Sequence, residues 1–278
     1  MNRREFLGSA VGGTGIVMLS GAGLAAQGRS VGQIGLQLYT VRTEMEKSVE
    51  ATLTRVAEIG YREVEFAGYF GHSAEQVKAI LDRNGLKSPS SHVALDQFTN
   101  EFEKTVATAK TLGQTYLICP WLAESARKSL DDYKKLAVTF NKLGADCEKA
   151  GFKFVYHNHD FEFTPIDGQI PFDILMQETD PKLVGFEVDL FWVVKANQDP
   201  IKYLEANAGR VPLVHVKDMS EAPARGFADV GSGVLDFKTI FQGCEKAGVK
   251  HYIVEHDRPA EPFFSIETSY NYLKEFRF

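Results

Sequence analysis

The chain has little cysteine: three residues in 278, Cys119, Cys147 and Cys244, with no C-x-x-C pair among them. That excludes a cysteine-ligated zinc module and a disulfide-dense scaffold. Cys147 and Cys244 fall at helical spacing among apolar neighbours (Leu136, Phe140 and Leu143; Phe237, Ile240 and Phe241), so both are expected in the core. Positive charge is also scarce. Lys and Arg total 31 against 37 Asp and Glu, a net charge of -6 that gives no electrostatic reason to expect a nucleic-acid partner. No phosphate-binding glycine fingerprint follows the first strand-like run, which continues straight into Gln37-Leu38-Tyr39-Thr40. What remains is an ordinary globular composition, 44% hydrophobic and 24% charged, with ample apolar material for one core.

The N-terminus stands apart. Arg3-Arg4-Glu5-Phe6-Leu7 precedes a weakly apolar, Gly- and Ala-rich run to Ala26, with no acid after Glu5. This resembles a twin-arginine export signal, with Gly23 and Ala25 spaced like a signal peptidase site. Residues 1–26 are therefore expected to be a signal peptide, residues 27–278 a single periplasmic domain with no membrane attachment after cleavage. A membrane anchor is the poorer reading, because glycines and polar residues break the run and it is short for a span.

After the signal, strand-like runs at 34–41, 63–66, 87–93, 116–119, 152–157, 184–189, 213–216 and 252–255 alternate with helical stretches around 46–59, 73–84, 98–112, 127–150, 171–178, 199–207, 236–247 and 265–275. Several helices end at glycine (Gly60, Gly85, Gly113, Gly151, Gly248). Strict alternation implies parallel pairing with right-handed crossovers, and eight such units close into a (β/α)₈ TIM barrel, an α/β fold. The irregular stretch 219–234, with Pro223, Gly226, Gly231 and Gly233, is either a loop over the barrel mouth or a solvated connection.

Chemistry concentrates in FVYHNHDFEF, residues 154–163, where His157, Asn158, His159, Asp160 and Glu162 lie at the C-terminal end of the fifth run and in the loop after it. In such barrels the strand C-termini share one mouth. The other ends are polar too: Glu65, His92, Asp189, His215 with Lys217 and Asp218, and Glu255 with His256. Taken singly, each acid reads as a helix cap and each histidine as a core hydrogen-bonder. Grouped carboxylates at the ends of apolar strands repel one another and lose hydration, and a bound divalent cation removes both penalties. Mixed imidazole and carboxylate ligands suit Mn, Zn, Co or Fe better than Ca or Mg. Asp189, His215 and Glu255 occupy comparable places on three successive runs, GFEVD, PLVH and YIVE. For the fourth ligand, His157 is placed equivalently on the fifth run, and Glu162 is the alternative, folding back from the loop.

VYHNHDFEF, GFEVDLFWV, VPLVHVKDM, VGSGVLDF and YIVEHD together resemble the sugar phosphate isomerase/epimerase family, which has the xylose-isomerase-like barrel of the AP endonuclease family 2 superfamily. The resemblance runs from QLYTVR to SYNYLKEF. It implies one divalent metal held by Glu, Asp, His and Glu from the fifth to eighth strands, and it carries over to Asp189, His215 and Glu255. On the fifth strand this chain has His157 where the family has Glu. That YHNH pattern looks more like inosose dehydratases and enzymes that cleave or isomerise 3-keto sugars.

The expected function is a metal-dependent sugar isomerase/epimerase or keto-sugar lyase/dehydratase, acting on a small-molecule sugar or keto-sugar. It begins with proton abstraction next to a carbonyl, with the metal stabilising the enediolate. His159, His157 or Glu162 is the base, and Lys217 neutralises an oxyanion or binds a hydroxyl. Trp192, with Phe191, walls the sugar ring, while Gln37, Glu65, His92 and His256 are expected to contact substrate. Two rivals remain: a sugar-binding barrel without catalysis, and an endonuclease IV-like phosphodiesterase. The second is disfavoured by Trp192, which stands where that family would have a histidine.

Overall fold

The computed structural model describes residues 28–278; the export signal expected over residues 1–26 lies outside them. Eight parallel strands close into a barrel in the order β1, β8, β7, β6, β5, β4, β3, β2. They are β1 (Ile34–Gln37), β2 (Glu63–Phe66), β3 (Lys87–His92), β4 (Tyr116–Cys119), β5 (Lys153–His157), β6 (Val184–Asp189), β7 (Leu213–Val216) and β8 (His251–Val254). The expected (β/α)₈ barrel is what the chain forms.

The two-residue period of each strand sorts its side chains into two environments. Outward residues such as Phe154, Tyr156, Phe186, Val188, Val214, Val216 and Val254 join the apolar stripes of the surrounding helices in one large core. Inward residues Tyr116, Ile118, Val155, Leu213 and Ile253 form a separate small cluster that plugs the barrel. Two residues further along, the inward positions change character: Val155 gives way to His157, Leu213 to His215 and Ile253 to Glu255. Parallel pairing then sets His157 beside Glu187 and Asp189 beside His215. The site is therefore the upper layer of the barrel interior, resting on an apolar plug.

Local chemistry fixes the element ends. The long helix Leu130–Ala150 starts at a capping box of Ser129 and Asp132 and stops at Gly151, whose φ of 90° is a left-handed conformation glycine adopts without a Cβ penalty. That stop delivers the chain into β5. Several boundaries differ from the sequence expectation; the stretch 98–112, for one, is two helices, Leu95–Asn100 and Phe102–Leu112. The first strand ends at Gln37, because the Gln37 side chain accepts the Tyr39 N–H and turns the chain into a short 3-10 helix, Leu38–Val41. The first helical stretch is two helices, Arg42–Lys47 and Val49–Ile59, with Ser48 capping the second. An unexpected helix, Leu190–Lys195, follows β6 directly, capped by Asp189 Oδ1 on the Trp192 N–H at 3.1 Å.

The stretch 219–234 is tied down. Buried Asp218 accepts the backbone N–H groups of Met219, Gly231, Gly233 and Leu235 at 2.8–3.1 Å, and a Cβ at Gly233 would overlap its carboxylate. The loop so held lays Phe227 against Phe191, Trp192 and His256. Cys147 and Cys244 lie in the core as expected; they and Cys119 are buried and unpaired. Among the described residues no helix is long and apolar enough to cross a membrane.

Candidate metal centre and active site

Strands β6, β7 and β8 bring Asp189, His215 and Glu255 together with ligand atoms within 4.8 Å of one another. Glu255 Oε2 lies 2.7 Å from His215 Nδ1, and Asp189 Oδ2 lies 3.9 Å from the same atom. Lys217, buried, reaches into this group: its Nζ is 2.9 Å from Asp189 Oδ2, 2.7 Å from Glu255 Oε2 and 2.7 Å from Asp257 Oδ1. Just below lies a second set, His92, His157, Glu187 and His215, again within 4.8 Å. Glu187 Oε2 sits 3.0 Å from His92 Nε2 and 3.0 Å from His157 Nδ1, while His215 Nε2 is 2.9 Å from Glu65 Oε1. Gln37 Nε2 and Ser90 Oγ complete the shell of Glu65 by donating to its two oxygens.

These contacts set the charges. Burial alone would lower His92, yet Glu65 and Glu187 push it up to about 9. Burial likewise opposes a charge on His215, and Glu187 and Glu255 overcome it, raising the pKa well above the ordinary value. For His157 burial wins, reinforced by the positive field of His215, so this ring is neutral. Burial raises Asp189 to about 6 against the pull of Lys217 and His215. It acts on Glu255 in the same sense, but Lys217 and His215 hold that carboxyl low. Lys217 itself stays charged: Asp189, Glu255 and Asp257 outweigh its burial.

The donor set fits a divalent metal on two observations. First, Glu187 Oε1 and Asp189 Oδ2 are buried without a hydrogen bond of good geometry, although Lys217 stands close to the latter. Second, His157 Nδ1 is engaged by Glu187 while its Nε2 faces Asp189 Oδ2 at 3.8 Å. A carboxylate behind one ring nitrogen leaves the other as a lone-pair donor, the arrangement that orients metal-binding histidines.

Glu162 is placed elsewhere. Its oxygens accept the Tyr156 hydroxyl and the His159 N–H, the latter at 2.9 Å, and it does not line the cavity. The 3-10 turn Phe161–Phe163 brings its side chain to Tyr156 on the outward face of β5, so it clamps the loop and is not brought to the ligand cluster. Burial pushes its carboxyl up to about 7, against the hydrogen bonds it receives.

A cavity of about 1000 Å³ opens above the cluster, and His92, His157, His159, Trp192, Lys217 and Glu255 all reach it. His159 is half-buried; burial, then nearby Lys217, lowers it to about 3, so its ring is neutral, and its Nδ1 has no partner. Of the other expected substrate contacts, Gln37 and Glu65 are fully buried beneath the cluster, and His256 is not among the lining residues. The His256 backbone N–H donates to Thr40 and its Nδ1 accepts the Arg258 N–H, which turns it aside.

The whole barrel can be compared with known proteins. The model of the xylose isomerase-like TIM barrel family matches residues 53–276. The chain belongs to this family. Within it, a sugar phosphate isomerase/epimerase from Parabacteroides distasonis is 27% identical with a TM-score of 0.76, covering 88% of this chain and 98% of that one. An inosose dehydratase from Clostridium beijerinckii is 24% identical over 270 residues, 83% of this chain and 90% of that protein. The IOLI protein, solved with a bound zinc atom, shares the fold at 17% identity and a TM-score of 0.65, covering 86% of this chain and 96% of that one.

The sequence reading missed Glu187 and Asp257. Glu187 was within reach, because it lies two residues before Asp189 on β6 and a step of two along an extended chain keeps the same face; Asp257 lies in the bend after β8, where no period applies. Trp121, which lines the cavity beside His159, had no such signal, because it sits in an irregular loop after β4.

Proposed function

We propose that the protein is a divalent-metal-dependent isomerase or lyase acting on a sugar or keto-sugar. The carrying observation is the convergence of Asp189, His215 and Glu255, with His157 turned toward them by Glu187, at the floor of a cavity open to solvent. Relatives named as inosose dehydratases and sugar phosphate isomerase/epimerases support that class, and the zinc-bound IOLI protein shares the fold.

Asp189, His215, Glu255 and His157 would hold the metal. When bound, it supplies a Lewis acid for a carbonyl oxygen and the hydroxyl beside it. The chain's own groups do the rest. Glu187 fixes the His157 ring, and Lys217 keeps a positive charge where an oxyanion develops. A neutral ring nitrogen of His159 takes the proton from the carbon next to the carbonyl, while Trp192 limits where the sugar ring lies. Glu162 keeps the loop carrying His159 in place.

Two comparisons favour this reading over its rivals. The lining cations Lys104, Lys217, Arg258 and His92 are matched by the carboxylates Glu101, Asp160, Glu255 and Asp257, so no electropositive track awaits a nucleic acid. A charged lysine and a neutral histidine without a hydrogen-bond partner, both beside the ligand cluster, supply the acid-base groups that catalysis requires and binding alone does not. Export through residues 1–26 is part of the proposal, and fractionation of an Arg3→Lys, Arg4→Lys double variant tests it: unchanged periplasmic amounts would remove it.

The experiment for the activity is solvent exchange. Metal-loaded protein is incubated with 3-keto-glucose in deuterium oxide and followed by NMR. Deuterium should enter the carbon beside the carbonyl, or the product should carry it, and His159→Ala should slow this by about 10²–10⁴-fold. Exchange no faster than in protein-free buffer would overturn the proposal.

A further inference from the structure

The cavity is longer than the chemistry needs. At about 1000 Å³ it stands at the upper end of small-molecule sites, roughly 300–1,000 Å³, and a single sugar ring fills a minor part of it. The ligand cluster and Lys217 come mainly from β5 to β8. The remaining wall comes from the loops after β2, β3 and β4 and from the helix Phe102–Leu112, and it includes Tyr69, His72, Gln97, Thr105 and Trp121. This arm has its own chemistry: aromatic faces alternating with amide and hydroxyl groups.

Trp121 is the telling residue. Its side chain is 49% exposed, which leaves a large apolar face in water. It is nonetheless packed, edge-to-face against His159 at 4.8 Å and Phe161 at 4.9 Å, with the Arg127 guanidinium 3.5 Å from the Phe161 ring centroid and 5.4 Å from that of Trp121. A half-exposed indole in a cavity wall that also carries amide and hydroxyl side chains is a surface for the C–H face of a pyranose ring, whose hydroxyls can meet those polar groups. Charge argues against a phosphate in the same arm. Lys104, the cation lining this arm, is paired with Glu101 at 2.8 Å, Arg127 beside Trp121 is not among the lining residues, and the cavity as a whole has no cationic excess.

We infer that this arm is a second subsite, which binds the next pyranose ring of a neutral glycoside while the reacting ring lies at the ligand cluster. Trp121 is the platform for that second ring. The inference rests on the proposed sugar chemistry and adds the substrate class: a disaccharide or larger glycoside, not a free or phosphorylated monosaccharide.

The test uses the two tryptophans, Trp121 and Trp192, which both line the cavity and make intrinsic fluorescence a direct readout. Metal-loaded protein is titrated with glucose, glucose 6-phosphate, maltose, cellobiose, laminaribiose and gentiobiose, with calorimetry as a second measure. At least one disaccharide should bind about tenfold or more tighter than glucose, in keeping with one well-formed aromatic stacking contact. Trp121→Ala should abolish that advantage and leave glucose affinity unchanged, and Trp121→Phe should restore part of it. Trp121 is half-exposed in a loop, so the truncation leaves the core intact. Equal affinity for glucose and every disaccharide would overturn the subsite while leaving the sugar chemistry standing, as would preference for glucose 6-phosphate. No response to any of these sugars would overturn the subsite, and absence of exchange with 3-keto-glucose would overturn the sugar chemistry on which it rests.

Discussion

Two layers of one barrel, a single two-residue step apart, do opposite things. In the lower layer Val155, Leu213 and Ile253 fill the interior and contribute stability by leaving water. In the upper layer the same strands carry His157, His215 and Glu255, whose burial costs free energy that only mutual pairing offsets. The backbone is the same; the difference lies wholly in the side chains. It teaches that the upper layer is kept for its chemistry, and that substitutions in the two layers should separate cleanly into losses of stability and losses of metal.

The largest effect tests that separation. Leu213→Ala should lower the metal-free unfolding free energy by about 2–5 kcal/mol, the range for a buried leucine truncated in a packed core. Asp189→Asn, in the upper layer, should cost less metal-free stability than that, because the amide oxygen can still cap the Trp192 N–H, Lys217 keeps Glu255 and Asp257 as partners, and the charge removed is one that burial opposes. Denaturant melts of both variants, stripped of metal, decide it. A loss in Asp189→Asn as large as in Leu213→Ala would break the comparison.

Next in size is a pH effect at Glu162, which belongs to neither layer. Its folded pKa of about 7 lies above the ordinary 4.5. Below pH 4.5 both states carry the proton and the group contributes nothing. Between 4.5 and 7 the native state keeps a proton that the unfolded chain has lost, so stability falls as pH rises. Above 7 the loss is complete, on the order of 3 kcal/mol. Stability curves of the wild type and Glu162→Gln should therefore converge near pH 4.5 and separate toward pH 8. Parallel curves would show that the carboxyl is not buried as described.

The smallest effect sharpens the upper layer internally. Glu187→Gln keeps the shape but weakens the partner behind His157, and should reduce metal affinity about 10–100-fold. Competition with a chelator measures it, and an unchanged affinity would remove the orienting role.

Much of this was legible in the sequence. The alternation of strands and helices gave the barrel, and polar residues at the ends of apolar runs gave Asp189, His215, Glu255 and His157, because period-two placement is a property of extended backbone. What was not legible has equally physical causes. Whether His157 or Glu162 faces the cluster depends on a 3-10 turn at Phe161–Phe163, which no period announces. Trp121 reaches the cavity through packing on His159 and Phe161, a tertiary contact. His256 reads as a strand-end neighbour of Glu255, but one further residue turns a side chain aside, and Asp257 takes the place on Lys217.

The most direct test of the account is metal content by elemental analysis of purified wild type, His157→Ala and Glu162→Gln. About one divalent metal per chain is expected in the wild type and in Glu162→Gln, and loss of most of it in His157→Ala. Metal retained in His157→Ala and lost in Glu162→Gln would contradict the site as described.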